Sequence, residues 1–176
     1  MPDMAEIRRS LLAAAESQDW LDAWPAVLGA RVSLLQALAG LNEQQSRWRP
    51  PTGEGEAAWS AFELGLHVLA YSRNVLGIIE ATAEGRTVPK DPMGTVAIEQ
   101  HATFATVRRA VTAQSVLIAG LPERLTPAPN LEATVPHAVF GPLNCRGWFL
   151  FLRLHDMDHT RQIANLAQMP GIPRQA

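Results

Sequence analysis

Apolar residues recur at intervals of three and four along most of this chain, and prolines and glycines break the pattern into four long segments. Residues 25 to 45 carry Val27, Leu28, Leu34, Leu35, Leu38 and Leu41 at the spacing of a helix with one buried face. Pro25 suits the first position of that helix, where a missing N–H costs nothing. The stretch Arg49-Pro-Pro-Thr-Gly-Glu-Gly-Glu56 is too rich in proline and glycine for regular structure and predicts a loop. Ser60-Ala-Phe-Glu63 fits a capping box, so a second helix starts there and runs through Leu64, Leu66, His67, Leu69 and Val75 to about Ala83. Glycine and proline between residues 85 and 94 end it. Thr95 then caps a third helix to about Ala119, with Phe104, Val107, Val111 and Ile118 on one stripe. A proline-rich connection, residues 122 to 136, precedes a fourth helix from near Pro142 to about Gln168.

Four such helices with few alternating β patterns predict an all-α fold, a four-helix bundle, and Ala5 to Ser17 predicts a short extra N-terminal helix. The expected organisation is an extension over residues 1–25, a bundle domain over 26–170 and a tail over 171–176. With 176 residues, 47% hydrophobic and 18% charged, the chain can bury a substantial core and does not read as disordered. A net charge of -2 gives no electrostatic reason to expect a nucleic-acid partner. Arg31, Arg73 and Arg153 interrupt the longest apolar runs, so no membrane span is expected. Arg8 and Arg9 precede a short apolar run, but Glu16 and Asp19 follow closely, which reads as a helix rather than a signal peptide. The single cysteine, Cys145, excludes an internal disulfide and fits a reducing cytoplasm.

The chemistry lies in the histidines. Steps of three and four from Trp148 reach Leu152, His155, His159, Gln162 and Leu166, which puts the His155/His159 pair on the core-facing stripe of the last helix. At about 6 Å apart along the axis, two such imidazoles can share one divalent metal. They also fit two core histidines satisfied by neighbours. His67, among Leu64, Leu66, Val68 and Leu69 of the second helix, adds a third inward imidazole. One metal ion would satisfy all three nitrogens, and three imidazoles plus water is an open, catalytic type of zinc site. His101 and His137 read as surface or outlying residues, although either could line a pocket. Cys145 is roughly 15 Å along the helix from His155, too far to share its ion. Glu63 reads first as a helix cap and second as a catalytic base; Gln162 is placed to hold the outer nitrogen of His159. Asp156 and Asp158 point about 100° away from the neighbouring histidines and are expected in solvent or paired with Arg153 and Arg161.

The ordered set Trp59-Ser60-x-x-Glu63-x-x-x-His67, His137-x-x-Phe140-Gly141, Trp148 and His155-x3-His159-x-x-Gln162 resembles the DinB/YfiT-like superfamily. The stretch from Gly40 through Trp48 to Pro50 resembles the exit of that family's first helix, and the likeness covers about residues 26 to 168. The resemblance implies an up-down-down-up order of the four helices, a metal site at His67, His155 and His159, and a homodimer. It also implies the class of chemistry: relatives include metal-dependent transferases that use low-molecular-weight thiols of the bacillithiol or mycothiol type.

The expected function is therefore a metal-dependent thiol S-transferase acting on a small molecule in detoxification or stress response. Zinc or nickel is the expected divalent metal, the thiol is the cosubstrate, and Arg146, Arg153 or Arg161 would meet the cosubstrate's carboxylates. A metal-dependent hydrolase, with Glu63 or His137 as its catalytic base, is one alternative. A non-enzymatic metal- or ligand-binding stress protein is the other.

Overall fold

The computed structural model describes residues 3–88, 102–125 and 128–174. Its elements are α1 (Met4–Ser17), α2 (Trp20–Ala39), α3 (Glu43–Arg47), a 3-10 turn (Gly55–Ala58), α4 (Ala61–Ala83), α5 (Phe104–Ala119), α6 (Leu121–Arg124), β1 (Val135–His137), β2 (Gly141–Leu143) and α7 (Cys145–Leu166). Apart from the short antiparallel β1–β2 pair, the regular structure is helical, as the periodicity predicts.

Local signals set several of the helix ends. At the start of α4 the Ser60 side chain accepts from the Glu63 N–H while Glu63 reaches back to the Ser60 amide, the predicted capping box. The other long helices begin elsewhere than expected. α2 starts at Trp20 under a capping box of Asp19 and Asp22, so Pro25 lies inside the helix, in its second turn. It ends at Gly40, and residues 43 to 47 form the separate α3. α5 starts at Phe104 under Thr103 rather than after Thr95, and has 16 residues; Thr95 and His101 lie outside the described residues. Glu43 of α3 adds a second cap there, accepting from the Phe104 N–H at 2.7 Å. α7 starts at Cys145 under Asn144. Pro142 is instead paired with Pro136 in the hairpin, a cross-strand match that helical periodicity does not reveal.

α2 and α4 each pack against both α5 and α7, and α1 lies along α7. The buried apolar residues form two clusters. One includes Leu11, Val27, Val75, Trp148 and Leu152; the other includes Leu34, Leu64, Val68, Val107 and Ile163. Along α2 the boundary between them falls at Arg31, along α4 at Tyr71 and Ser72, and along α7 at His155, Asp156 and His159. Most of the buried polar chemistry therefore shares one level of the fold, between two apolar layers. Among the described residues no helix is long and apolar enough to cross a membrane.

Candidate metal centre

His67 reaches this level from α4, half-buried, one turn after the Glu63 cap; His155 and His159 reach it from α7, both buried. Their Nε2 atoms converge. His67 Nε2 stands 3.0 Å from His155 Nε2, which stands 3.2 Å from His159 Nε2. Nitrogens about 2.0–2.1 Å from a tetrahedral zinc are roughly 3.3 Å apart, so these separations approach the edge of such a shell. The three residues form a group that could hold one metal ion.

The surroundings suit neutral imidazoles. Burial, with the neighbouring His159 next, holds His67 below its ordinary pKa, while Glu56 pulls it slightly the other way. Burial again leads for His155, followed by His159, His67 and Arg31, and keeps that ring well below the ordinary value. Both rings thus offer lone pairs at neutral pH without first losing a proton. His159 Nδ1 lies 2.8 Å from Gln162 Oε1; with the amide oriented so, Nδ1 carries the proton and Nε2 is bare. At most one proton can bridge each close Nε2 pair, whereas one cation can engage all three lone pairs. The donor set fits a divalent metal.

Aromatic rings wall the cluster. Tyr71 stacks on His155 at 4.2 Å and 14°, and Trp59 packs on His67 at 5.3 Å. Burial, then the charge of Glu56, pushes the Tyr71 phenol far up, so it keeps its proton. Glu56 and Tyr71 are two neighbours of the site that helical spacing of histidines does not select. Glu56 sits in the loop, in a 3-10 turn whose placement no periodicity shows. Tyr71 was the more visible, one turn after His67 on the same helix face.

The proposed bases are both engaged. Glu63 Oε2 accepts from the Ser60 amide at 2.9 Å and its hydroxyl at 2.8 Å, while Oε1 pairs with Arg49. Burial alone would raise this carboxyl's pKa, but the Ser60 and Arg49 contacts together hold it below the ordinary value. His137 Nδ1 accepts from the backbone N–H groups of Val139 and Phe140, which closes the hairpin turn. Its ring packs on Phe151 at 4.3 Å, and Phe151 in turn approaches His155 at 6.0 Å. Cys145 is buried at the start of α7. Of the candidate arginines, Arg153 faces a groove with Glu6, Ile7 and Ser10 of α1, and Arg161 pairs with Asp158 as expected.

Asp156 departs from expectation. It is fully buried, and its Oδ2 lies 2.8 Å from Nε of Arg31, itself 1% exposed, on α2; Arg31 also donates to Ser72 Oγ of α4 at 2.7 Å. The 100° offset from His155 points Asp156 at a second neighbouring helix, not at solvent. Arg31 at i+4 from Val27 and Asp156 at i+4 from Leu152 both sit on apolar stripes, a signal available in the sequence.

A family model described as the DinB superfamily matches residues 26–163. The chain belongs to the DinB superfamily. The DinB match contains His67, His155, His159 and Gln162 together with the Arg31–Asp156 pair, and it begins within α2, leaving α1 outside. Nothing among curated proteins or solved structures matches the chain.

Proposed function

We propose that this DinB protein is a metal-dependent S-transferase that joins a low-molecular-weight thiol, of the bacillithiol or mycothiol type, to an electrophilic small molecule. The observation that supports it most is the convergence of three Nε2 atoms at 3.0 and 3.2 Å in a half-open, aromatic-walled setting. His67, His155 and His159 would hold zinc or nickel. When bound, that ion supplies a Lewis acid that lowers a thiol's pKa toward neutrality. Gln162 holds His159 in the tautomer with a bare Nε2. Tyr71, protonated beside His155, is a hydrogen-bond donor for a developing anion. Trp59 offers an apolar face to the acceptor molecule.

This reading takes α2, α4, α5 and α7 as an up-down-down-up bundle, supported by the packing of α2 and α4 against both other helices. It takes the protein as a cytoplasmic homodimer with a small-molecule substrate and no nucleic-acid partner. A metal-dependent hydrolase is the second reading. Glu56 favours it, because its charge is felt at His67 and it has fewer fixed duties than Glu63.

Metal analysis of the tag-free protein, followed by conjugation assays with bacillithiol, mycothiol or glutathione and a model electrophile, tests the proposal. Metal-dependent conjugation that disappears in the triple His→Ala variant is expected. Equal rates in that variant sink the transferase reading; ester hydrolysis that falls with Glu56→Gln favours the second.

A further inference from the structure

The three imidazoles differ in what stands behind them. His159 Nδ1 has Gln162 Oε1 at 2.8 Å. His67 is half-buried at the rim. His155 is buried, and its Nδ1 has no hydrogen-bond partner. A ring that ligates through Nε2 carries its proton on Nδ1, and that proton needs an acceptor. Asp156 Oδ1 stands 3.9 Å away, equally buried and equally without a hydrogen-bond partner.

We infer that Asp156, clamped by Arg31, is a positioning residue that accepts the Nδ1 proton of His155 and so fixes that ring for ligation through Nε2. The inference rests on the metal reading of the three histidines. The 3.9 Å separation is too long for a hydrogen bond as it stands, and a closure of about 1 Å brings it into range. Tyr71 stacking restrains the imidazole plane, so the carboxylate is the part that turns. Its other oxygen lies 2.8 Å from Arg31 Nε as an ion pair rather than a formed hydrogen bond, which leaves the carboxylate room to turn. Arg31 is tied in turn to Ser72, next to Tyr71 on α4. The chain Ser72–Arg31–Asp156–His155 thus links α4, α2 and α7 directly behind the ring shared by both close Nε2 contacts.

The test measures zinc affinity of the full tag-free chain by competition with a chromophoric chelator, alongside thermal melting without metal. In the zinc-loaded parent, 15N-edited NMR is expected to show a protonated, hydrogen-bonded His155 Nδ1. Asp156→Asn leaves one of the two donors, Arg31 or His155, without its acceptor, and zinc binding is expected to weaken about 10- to 100-fold. Because that variant also strands the Arg31 charge, the double variant Arg31→Met/Asp156→Leu serves as a second arm that removes the pair without an orphan. It should retain helix content, bind zinc 10- to 100-fold more weakly and lose the downfield Nδ1 proton signal. A folded double variant with parental affinity and an unchanged Nδ1 signal overturns the inference while leaving the metal site intact. Failure of the parent to bind zinc overturns the metal reading, and this inference with it.

Discussion

At a single level of the fold, α7 presents two polar faces that solve the cost of burial differently. Toward α2, Asp156 meets Arg31 at 2.8 Å, and opposite charges offset each other although Asp156 Oδ1 and Arg31 Nη1 have no hydrogen-bond partner. Toward α4, His155 and His159 meet His67, and three like nitrogens point at one another. The first face is closed, with side chains 1% and 0% exposed. The second is open at His67, where three like groups converge and the opposite charge felt is that of the exposed Glu56. An ion pair offsets its own charge within the fold; convergent lone pairs call for something from outside. The contrast separates a polar group that holds the structure from one that is available for chemistry.

The largest expected effect lies on the open face. His155→Ala removes the nitrogen shared by both close contacts and should abolish stoichiometric zinc, read by metal analysis after dialysis, while the helical circular dichroism persists. His137→Ala, which loosens a hairpin turn and its packing on Phe151 but removes none of the converging nitrogens, should keep its zinc. Comparable zinc in the His155 and His137 variants would break the contrast from this side.

The closed face is next in size. Asp156→Ala leaves Arg31 charged and buried without its partner, a change that costs about 3–5 kcal/mol. Arg31→Met/Asp156→Leu removes both charges and should recover most of that loss, since an apolar replacement of a buried pair is often neutral or stabilising. Urea unfolding in excess chelator measures both. If the double variant is as unstable as the single one, the cost does not come from the stranded Arg31 charge.

How far these faces could be read in advance follows from how local their determinants are. The α4 start was legible because Ser60 and Glu63 satisfy each other within one turn. The inward direction of His155 and His159 was legible because Trp148, Leu152 and Leu166 share their stripe. The start of α7 was not, because residues 141 to 143 are withdrawn from the helix by hairpin pairing with residues 135 to 137, and strands of three residues with a proline in each carry no alternating pattern to read. Asp156 was misplaced for a different reason. A helix packed on one neighbour has a single apolar stripe, but α7 touches α1, α2 and α4, so most of its circumference is interior. A polar residue off the main stripe then meets another helix. The sequence carries a clue to this in the matching Arg31, equally out of place among Val27 and Leu34.

The two faces should also oppose each other in pH dependence, with a smaller effect than either substitution. In the metal-free protein, His155 is held well below the ordinary 6.5, so between those values the unfolded chain binds a proton that the folded chain refuses. Its contribution to stability is complete above pH 6.5 and declines as the pH falls toward its lowered pKa, by no more than about 1.4 kcal/mol per pH unit. Asp156 behaves in the opposite sense. Burial, against the pull of Arg31, pushes its carboxyl from 3.8 up to about 6, so its contribution is complete below 3.8 and is lost as the pH rises through 6. From pH 4 to 6 the two slopes partly cancel in the parent protein. Arg31→Met/Asp156→Leu removes the carboxyl but leaves burial, the leading cause of the His155 shift, in place. Melting temperatures measured in chelator from pH 7 to 4.5 should therefore fall more steeply for the double variant than for the parent. Parallel curves would mean that the ion pair contributes no opposing slope, and the electrostatic half of the contrast would have to be given up.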